Sequence, residues 1–357
     1  MGDAQRDDKR LFAVAVGGRS SLVRGGLAAC VRVRRQVIAN ARHCRGAILK
    51  ETMADKAELV VEGKKLPVSN LNKVLYPKAG FTKGQVIDYY IRIAPVLLPH
   101  LKDRPLTMKR YPNGVDGMFF YEKNCPSHRP NWVKTAKVWS HGNQRDMHYC
   151  LAQDLPTLVW AANLADLELH TSLARKKDVA KPTMMVFDLD PGPPADVVQC
   201  CQVGIWLRDL LAAMKLKSWA KTSGSKGLQV YVPLNTPATF DQTKALSRAL
   251  AEHLEREHPE LVVHRMLKSL RGGKVLVDWS QNDEHKTTVN VYSLRAKDHP
   301  TVSTPVRWKE VETCLKKKNA ELLRFTSDQV LKRVAEMGDL FEPIETVKQK
   351  LPKSWKL

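Results

Sequence analysis

Between Thr183 and Gly192 the chain reads Thr-Met-Met-Val-Phe-Asp-Leu-Asp-Pro-Gly, an apolar strand that stops abruptly at Pro191 and Gly192. Side chains alternate along a strand, so Asp188 and Asp190 project from one face while Phe187 and Leu189 project from the other. Two carboxylates so placed repel each other, and a hard divalent cation with oxygen ligands, Mg²⁺ or Mn²⁺, relieves that repulsion. The plainer alternative is that one Asp caps the turn and the other is solvated. A second apolar run, Lys274-Val-Leu-Val-Asp278-Trp, delivers a third carboxylate. An unpaired buried carboxylate is costly, so Asp278 must reach solvent or share a cation. If the two strands are neighbours, Asp188, Asp190 and Asp278 converge into a site for two-metal phosphoryl chemistry.

Between the acidic strands, Thr222-Ser223-Gly224-Ser225-Lys226-Gly227 is a small-residue loop joining two strands. Its glycines permit close backbone approach, its hydroxyls and amides can cradle phosphate oxygens, and Lys226 adds charge. A flexible hairpin is the alternative. The spacing is not that of a Walker A loop, which also needs a strand-to-helix setting. Arg271, Lys286 and Arg295 add cations around Asp278, and arginine is the preferred partner of phosphate oxygens. The whole chain has the same bias: 58 Lys+Arg against 37 Asp+Glu give a formal net charge of +21. An anionic partner follows, with nucleic acid the leading candidate.

At 357 residues, 43% of them hydrophobic, the chain can bury one large core or two modest ones. Residues 1–52 carry eleven basic and four acidic residues with no clear amphipathic period. They read as a poorly ordered extension, with a nucleic-acid-binding arm or a targeting leader as rivals. From Glu58 the pattern is mixed α/β, and 53–342 reads as one domain followed by a tail, 343–357. A strand at Glu58 to Val61 precedes a helix capped by Thr82 that runs through Leu98, interrupted at Pro95. Strands flank the Pro112-Asn-Gly turn, and a helix over Leu155 to Ala165 leads into a strand at Asp166 to His170. Around the acids, strand and helix alternate: Thr183 to Asp190, a helix from Ala195 to Met214, Lys217 to Thr222, Leu228 to Leu234, a helix from Asp241 to His258, and strands at Lys274 to Trp279 and Thr287 to Tyr292. This points to a compact sheet with helices on one face. Two helices occupy Arg307 to Glu342, the second capped by Ser327. The seven cysteines show no C-x-x-C pair and no repeated spacing, so neither a zinc module nor a disulfide framework is expected and a reducing, cytoplasmic setting fits. No run approaches the ~18 apolar residues of a membrane span.

At these blocks the sequence resembles the archaeo-eukaryotic primase superfamily, specifically the polymerase domain of bacterial DNA ligase D and its stand-alone relatives. Asp-Leu-Asp-Pro-Gly at 188–192, Ser-Gly-Ser-Lys-Gly-Leu at 223–228 and Val-Asp-Trp-Ser-Gln-Asn at 277–282 stand in the family's order and spacing. The likeness extends through Lys73-Val-Leu-Tyr-Pro, Lys109-Arg-Tyr-Pro-Asn-Gly, Phe119-Phe120-Tyr-Glu-Lys, Leu167-Glu-Leu-His170 and Tyr292-Ser-Leu-Arg295. It covers roughly Glu58 to Glu342 and leaves out residues 1–52. The resemblance implies an α+β primase fold, with an RRM-like catalytic sheet and an N-terminal α/β module packed against it. It implies Asp188, Asp190 and Asp278 as ligands of Mn²⁺ or Mg²⁺. His170, Ser223, Lys226, Arg271 and Arg295 would meet the incoming nucleotide, with Lys286 beside them. Asn70, Lys73 and Lys83 match positions that bind a 5′-phosphate across a gap. Phe119 and Phe120 match a pair that stacks on template bases, and Lys109 joins them on the DNA side.

The implied activity is template-dependent addition of nucleotides, ribonucleotides favoured, to 3′ ends at short gaps or breaks in DNA repair. The implied partners are gapped or 5′-phosphorylated DNA, nucleoside triphosphates, a separate ATP-dependent DNA ligase and Ku, in a bacterial cytoplasm at the nucleoid. The chain contains no Lys-x-Asp-Gly ligase nucleophile motif. One position departs: the family continues Gly-Leu-His where this chain has Gly-Leu-Gln229, a side chain that can donate a hydrogen bond but carries no charge. De novo priming is the rival within the same chemistry. A non-catalytic end-bridging module is the rival from another class. A haloacid-dehalogenase-type phosphatase shares the Asp-x-Asp strand, but that family continues with Gly and Thr or Val, not Pro191-Gly192-Pro193-Pro194.

Overall fold

The computed structural model describes residues 56–352 apart from 141 and 143, together with the strand Arg32–Arg34 and residues 354 and 355. The hairpin of β1 (Lys56–Val61) and β2 (Lys64–Ser69) turns through Glu62 and Gly63, both at positive φ, and Arg32–Arg34 pairs antiparallel with β1. The rest of the extension expected at 1–52 lies outside the described residues.

Helix α1 (Lys83–Leu101) begins where the sequence placed it. The Thr82 hydroxyl accepts from the Gln85 N–H, and the Gln85 side chain accepts from the Thr82 N–H. It does not stop at Pro95 but runs on past Pro99. Both prolines are exposed, so the carbonyls they leave unpaired can meet water, while Val86, Tyr90, Ile93 and Leu97 bury the opposite side. Helix α1 packs on α2 (Leu155–Asn163), and the Tyr90 hydroxyl ties it to the sheet beneath by donating to the Leu167 carbonyl at 2.7 Å. That sheet holds β3 (Leu106–Arg110), β4 (Phe120–Glu122), β5 (Thr135–Ser140), β6 (Arg145–Cys150) and β7 (Asp166–Thr171). Strand β3 is central, flanked by β7 on one side and by β6 and then β5 on the other, and β4 also pairs with it.

One expectation fails here. Cys125 and Cys150 are joined by a disulfide, whereas the sequence signalled none. They stand 25 residues apart, but the Cys125 N–H donates to the His148 carbonyl and Cys150 ends the same strand. A loop hydrogen-bonded to a strand distant in sequence, invisible to spacing rules, brings them together.

The second half contains β8 (Met184–Pro191), α3 (Val197–Ala213), β9 (Trp219–Thr222), β10 (Leu228–Pro233), α4 (Phe240–Glu257), β11 (Val262–Val263) and β12 (Val275–Asp278). After them come β13 (Thr288–Val289), the hairpin β14 (Leu294–Ala296) and β15 (Pro300–Val302), and β16 (Pro305–Val306). The sheet order is β11-β12-β8-β10-β9-β16. Within it, β8, β9, β10 and β12 are the four strands of a βαββαβ unit, in the spatial order fourth, first, third, second, with antiparallel neighbours. Helices α3, α4 and α5 (Trp308–Lys317) cover one face. Met185, Phe187 and Leu189 enter that helical core, whereas Met184 and Val186, on the other face of β8, join the core of the N-terminal half. Strand β13 then leaves this sheet and pairs with β7 in the first, His170 opposite Val289.

Helix α6 (Ser327–Met337) is capped by Thr326, with Gln329 completing the box, so Ser327 is its first residue and not its cap. The segment expected as a tail from 343 packs onto the body. Ile344 is fully buried, and Gln349 bonds to Lys217 and Pro233. Glu345 meets Arg175 at 2.6 Å, Arg104 at 3.0 Å and His100 at 3.4 Å. His100 also bonds Asp339 at 2.8 Å.

Removing Glu345 strands Arg104, which is 2% exposed. Glu345→Ala is expected to cost about 3–5 kcal/mol in denaturant unfolding, and an unchanged midpoint would show that the cluster carries no weight. Burial pulls the His100 imidazole down, but the hydrogen bonds and charges of Asp339 and Glu345 raise it above its ordinary value. Its contribution is therefore complete below the unfolded value of about 6.5 and lost as pH rises through the higher folded one. Thermal scans should show wild type losing stability over that rise and His100→Asn losing less.

Candidate active site

The two acidic strands are neighbours. In the antiparallel register Asp188 lies directly opposite Asp278 on one side and Gln229 on the other, and Gln229 lies opposite Lys221. Paired residues share a face, so Asp278, Asp188, Gln229 and Lys221 form one row across four strands, with Asp190 on the same face two residues along β8. Burial, then Asp278 and Asp190, push the Asp188 carboxyl up to about 6, against the hydrogen bond to Gln229 and the charge of Lys221. Lys221 is fully buried and donates to the Gln229 side-chain oxygen and, at 2.6 Å, to the Ser303 hydroxyl. Burial draws its ammonium well below the ordinary lysine range, and Asp188 opposes the fall.

Strand β12 ends at Asp278, whose Oδ1 accepts from the Ser280 N–H at 2.9 Å and hydroxyl at 2.6 Å while Oδ2 accepts from Gln281 at 2.8 Å. Asp278 is thus the acid that caps a turn. Asn282 then occupies the next rung of the ladder with its amide, accepting from the Val186 N–H at 2.9 Å and donating to the Val186 carbonyl at 2.6 Å. Asp190 faces two cations, Lys226 at 3.1 Å and Arg271 at 3.5 Å. As arranged, no three His, Cys, Asp or Glu side chains among the described residues stand together as a cage for one ion. The donors still fit hard divalent cations: three carboxylates share one sheet face, two in the same row, and Asp188 bears a desolvation and repulsion cost that a cation removes.

The Ser223–Gly227 loop joins β9 to β10 as read from the sequence. The Ser223 hydroxyl accepts from the N–H groups of Ser225 and Gly227 at 3.2 and 3.0 Å, and Arg295 donates to the Ser223 carbonyl at 2.6 Å. A Cβ on Gly227 would stand 2.2 Å from the Leu189 carbonyl oxygen, so loop and acid strand touch through bare backbone.

A cleft of about 520 Å³ opens between the two sheets. One wall carries Asp188, Asp190, Ser223, Lys226, Lys286 and Arg295, and the other carries His170 and Tyr121. His170 bonds through Nε2 to Glu168 at 3.0 Å. Because a carboxylate only accepts, Nε2 holds the proton. Burial lowers the imidazole, Arg295 and Lys109 lower it further, and Glu168 only partly opposes them, so the neutral ring leaves Nδ1 as an acceptor. Asp278 and Arg271 are not on the lining and reach the cleft through Asp188 and Asp190.

The remaining candidates lie apart. Lys73 donates to Asn113 at 3.0 Å, Lys83 donates to the Ser69 carbonyl at 2.8 Å, and Asn70 takes the turn between them at φ 53. Burial, Lys73 and Arg110 bring Lys83 down to about 8. Phe119 stacks on Tyr111 with centroids 5.3 Å apart, and Arg110 lies 5.1 Å over Phe120. The sequence reading did not single out Tyr121, Lys123 or Gln281 as cleft residues. All three sit inside quoted motifs, which was the available signal. Lys221 offered only the alternation that puts it on the face of Gln229.

The family model described as LigD, primase-polymerase domain, matches residues 82–341. The chain belongs to this family. It is 41% identical over 280 residues to the multifunctional non-homologous end joining protein LigD of Mycolicibacterium smegmatis, and 32% over 299 residues to the bifunctional LigD of Bacillus subtilis. Those alignments take in 78% and 81% of this chain but 36% and 47% of the relatives, so the chain spans less than half of either. The solved polymerase domain from Mycobacterium tuberculosis ligase D in complex with DNA matches with a TM-score of 0.73 and 39% identity, covering 80% of this chain and 99% of that one. As a LigD primase-polymerase domain the chain is a nucleotidyltransferase, of a metal-dependent kind. No helix among the described residues is long and apolar enough to cross a membrane.

Gly227→Ala forces the loop off the acid strand. It is expected to cost about 1–3 kcal/mol of stability and to reduce nucleotidyl transfer more than that loss explains. Wild-type turnover in Gly227→Ala would show that the close approach does not matter to catalysis.

Proposed function

We propose that this chain is a template-directed polymerase that adds nucleotides, ribonucleotides by preference, to 3′ ends at short gaps or breaks bearing a 5′-phosphate. The observation that carries the reading is the juxtaposition of Asp188, which lines the cleft with Lys226, Lys286 and Arg295, with Asp278 directly opposite it on the neighbouring strand. Asp188, Asp190 and Asp278 would hold Mn²⁺ or Mg²⁺, which when bound lower the pKa of an attacking 3′-hydroxyl and stabilise charge on the transferring phosphate. The loop amides, Ser223 and the surrounding cations bind the triphosphate, Arg271 adds its charge beside Asp190, and His170 offers Nδ1 to a sugar hydroxyl. Phe119 and Phe120, 50% and 43% exposed, give template bases a stacking surface. Lys73, Lys83 and Asn70 take the 5′-phosphate, and Lys109 serves the DNA side.

Gap filling is favoured over de novo priming by Gln229. Its oxygen accepts from Lys221 and it is bonded to Asp188, so the oxygen and one N–H are engaged within the sheet, and the side chain brings no charge to a second triphosphate. The repair setting follows the relatives, named for non-homologous end joining. A separate ATP-dependent ligase would seal the product and Ku would hold broken ends, at the nucleoid of a bacterial cytoplasm.

The test is Mn²⁺-dependent extension of a one-nucleotide gap, with and without the 5′-phosphate, using ribo- and deoxyribonucleotides. Extension should be faster with ribonucleotides and with the phosphate, and Asp188→Asn should abolish it while retaining DNA binding. DNA binding with no extension by wild type would instead support an end-bridging module, and dinucleotide synthesis on bare single strands would support priming. Because the Lys83 ammonium must be charged to pair a phosphate, the 5′-phosphate preference should fall as pH rises through about 8. Lys83→Met should lose that preference at every pH.

A further inference from the structure

Glu168 is buried on β7, 1% exposed, and the reading above gives it no role. Both its oxygens are engaged. Oε2 takes His170 Nε2 at 3.0 Å and Lys109 Nζ at 3.4 Å. Oε1 takes the Ala296 N–H at 3.0 Å and lies 3.3 Å from Arg295 Nε. His170 and Arg295 both line the cleft, His170 from β7 and Arg295 from the separate β14–β15 hairpin, so a single carboxylate holds the two in place. Lys109 turns the other way: its ammonium stands 4.5 Å over the Phe119 ring and 5.4 Å over that of Tyr121. The Tyr121 ring in turn meets His170 edge-on at 5.8 Å. Glu168, His170, Tyr121 and Lys109 therefore close a ring of contacts that joins the cleft to the exposed aromatic surface.

Burial alone would raise the Glu168 carboxyl, but the His170 hydrogen bond and the charges of Arg295 and Lys109 hold it well below the usual range. An anion buried for stability alone is a poor device, since well-packed apolar residues often serve as well or better. A neutral Gln here would keep shape and one acceptor, yet would turn an amide donor toward groups that are themselves donors.

We propose that Glu168 is a positioning residue for nucleotide addition, which fixes the incoming-nucleotide pocket and the template-stacking aromatics in one register. His170 and Arg295 are held on the nucleotide side, and Lys109 fastens Phe119 and Tyr121 on the template side. Base selection then depends on Glu168 although it touches neither nucleotide nor template. The inference rests on the polymerase reading of the cleft.

The experiment compares Glu168→Gln, Phe119→Leu and the double variant in filling a one-nucleotide gap, measuring kcat and KM for the templated and a mispaired nucleotide, with thermal midpoints alongside. Glu168→Gln is expected to raise KM for the templated nucleotide about 10- to 100-fold. It should also narrow the margin over the mispaired nucleotide, and the double variant should select no worse than Phe119→Leu alone. Unchanged KM and selection with a lowered midpoint, or losses of selection that multiply in the double variant, would overturn the proposal. If Glu168→Gln does not fold, Glu168→Asp decides it: a raised KM for the templated nucleotide and reduced selection are expected, and wild-type KM and selection refute the link. Wild-type protein that extends no primer would refute the polymerase reading itself, whereas failure of the variants to differ from an active wild type refutes only the role of Glu168.

Discussion

Asp188 and Asp278 face each other across adjacent antiparallel strands, and the cost of that contact organises the residues around it. Side chains directly opposite in such a pair lie about 5 Å apart, where two like charges at an effective dielectric of about 20 repel by roughly 3 kcal/mol. That is a large fraction of a typical domain's stability of about 5–15 kcal/mol. Every neighbour answers it. Gln229 donates to Asp188, Lys221 donates to the Gln229 oxygen one strand further along, and Lys226 and Arg271 reach in to Asp190. Catalytic strain of this sort is tolerated because the product is a concentrated negative field with an open approach.

The cations that answer the acids also suit the substrate. Lys226 and Arg295 are each anchored by backbone carbonyls, Pro191 and Ser223 respectively, so they are held in place while keeping their charge. The first sheet supplies the opposite wall. Its strand β7 delivers Glu168 and His170, and β13, which follows the Asp278 turn, crosses over to pair with it. The cleft is therefore a seam between two sheets, closed by the chain segment that has just left the acidic strands.

Much of this was legible in the sequence. The period of two in Val186-Phe-Asp188-Leu-Asp190 fixed which side chains share a face, and Phe187 and Leu189 indeed pack under α3. Thr82 announced the start of α1, and Gln85 completes its capping box. What could not be read depends on partners distant in sequence. Whether Asp278 lay beside Asp188 was conditional until the register was seen. Lys221 looked like any lysine in a strand until Ser303, 82 residues on, was found to accept its hydrogen bond. The Cys125–Cys150 link needs a loop bonded to a distant strand, and the buried Glu345 needs Arg104 and Arg175 from the other end of the chain. The cap of α6 missed by one residue because Thr326 and Ser327 are equally good caps and only the position of Gln329 separates them.

Strand β8 is a party wall. Its even-numbered residues Met184 and Val186 belong to the core of one half, and its odd-numbered residues Met185, Phe187 and Leu189 to the core of the other. Neither half owns a complete set of neighbours for it, and each would expose one of its faces if the other opened. The segment carrying two of the three acids is thus tied to both cores, and opening it requires loosening both at once. Motion in the loops around the cleft then leaves Asp188 and Asp190 on a strand that both cores hold.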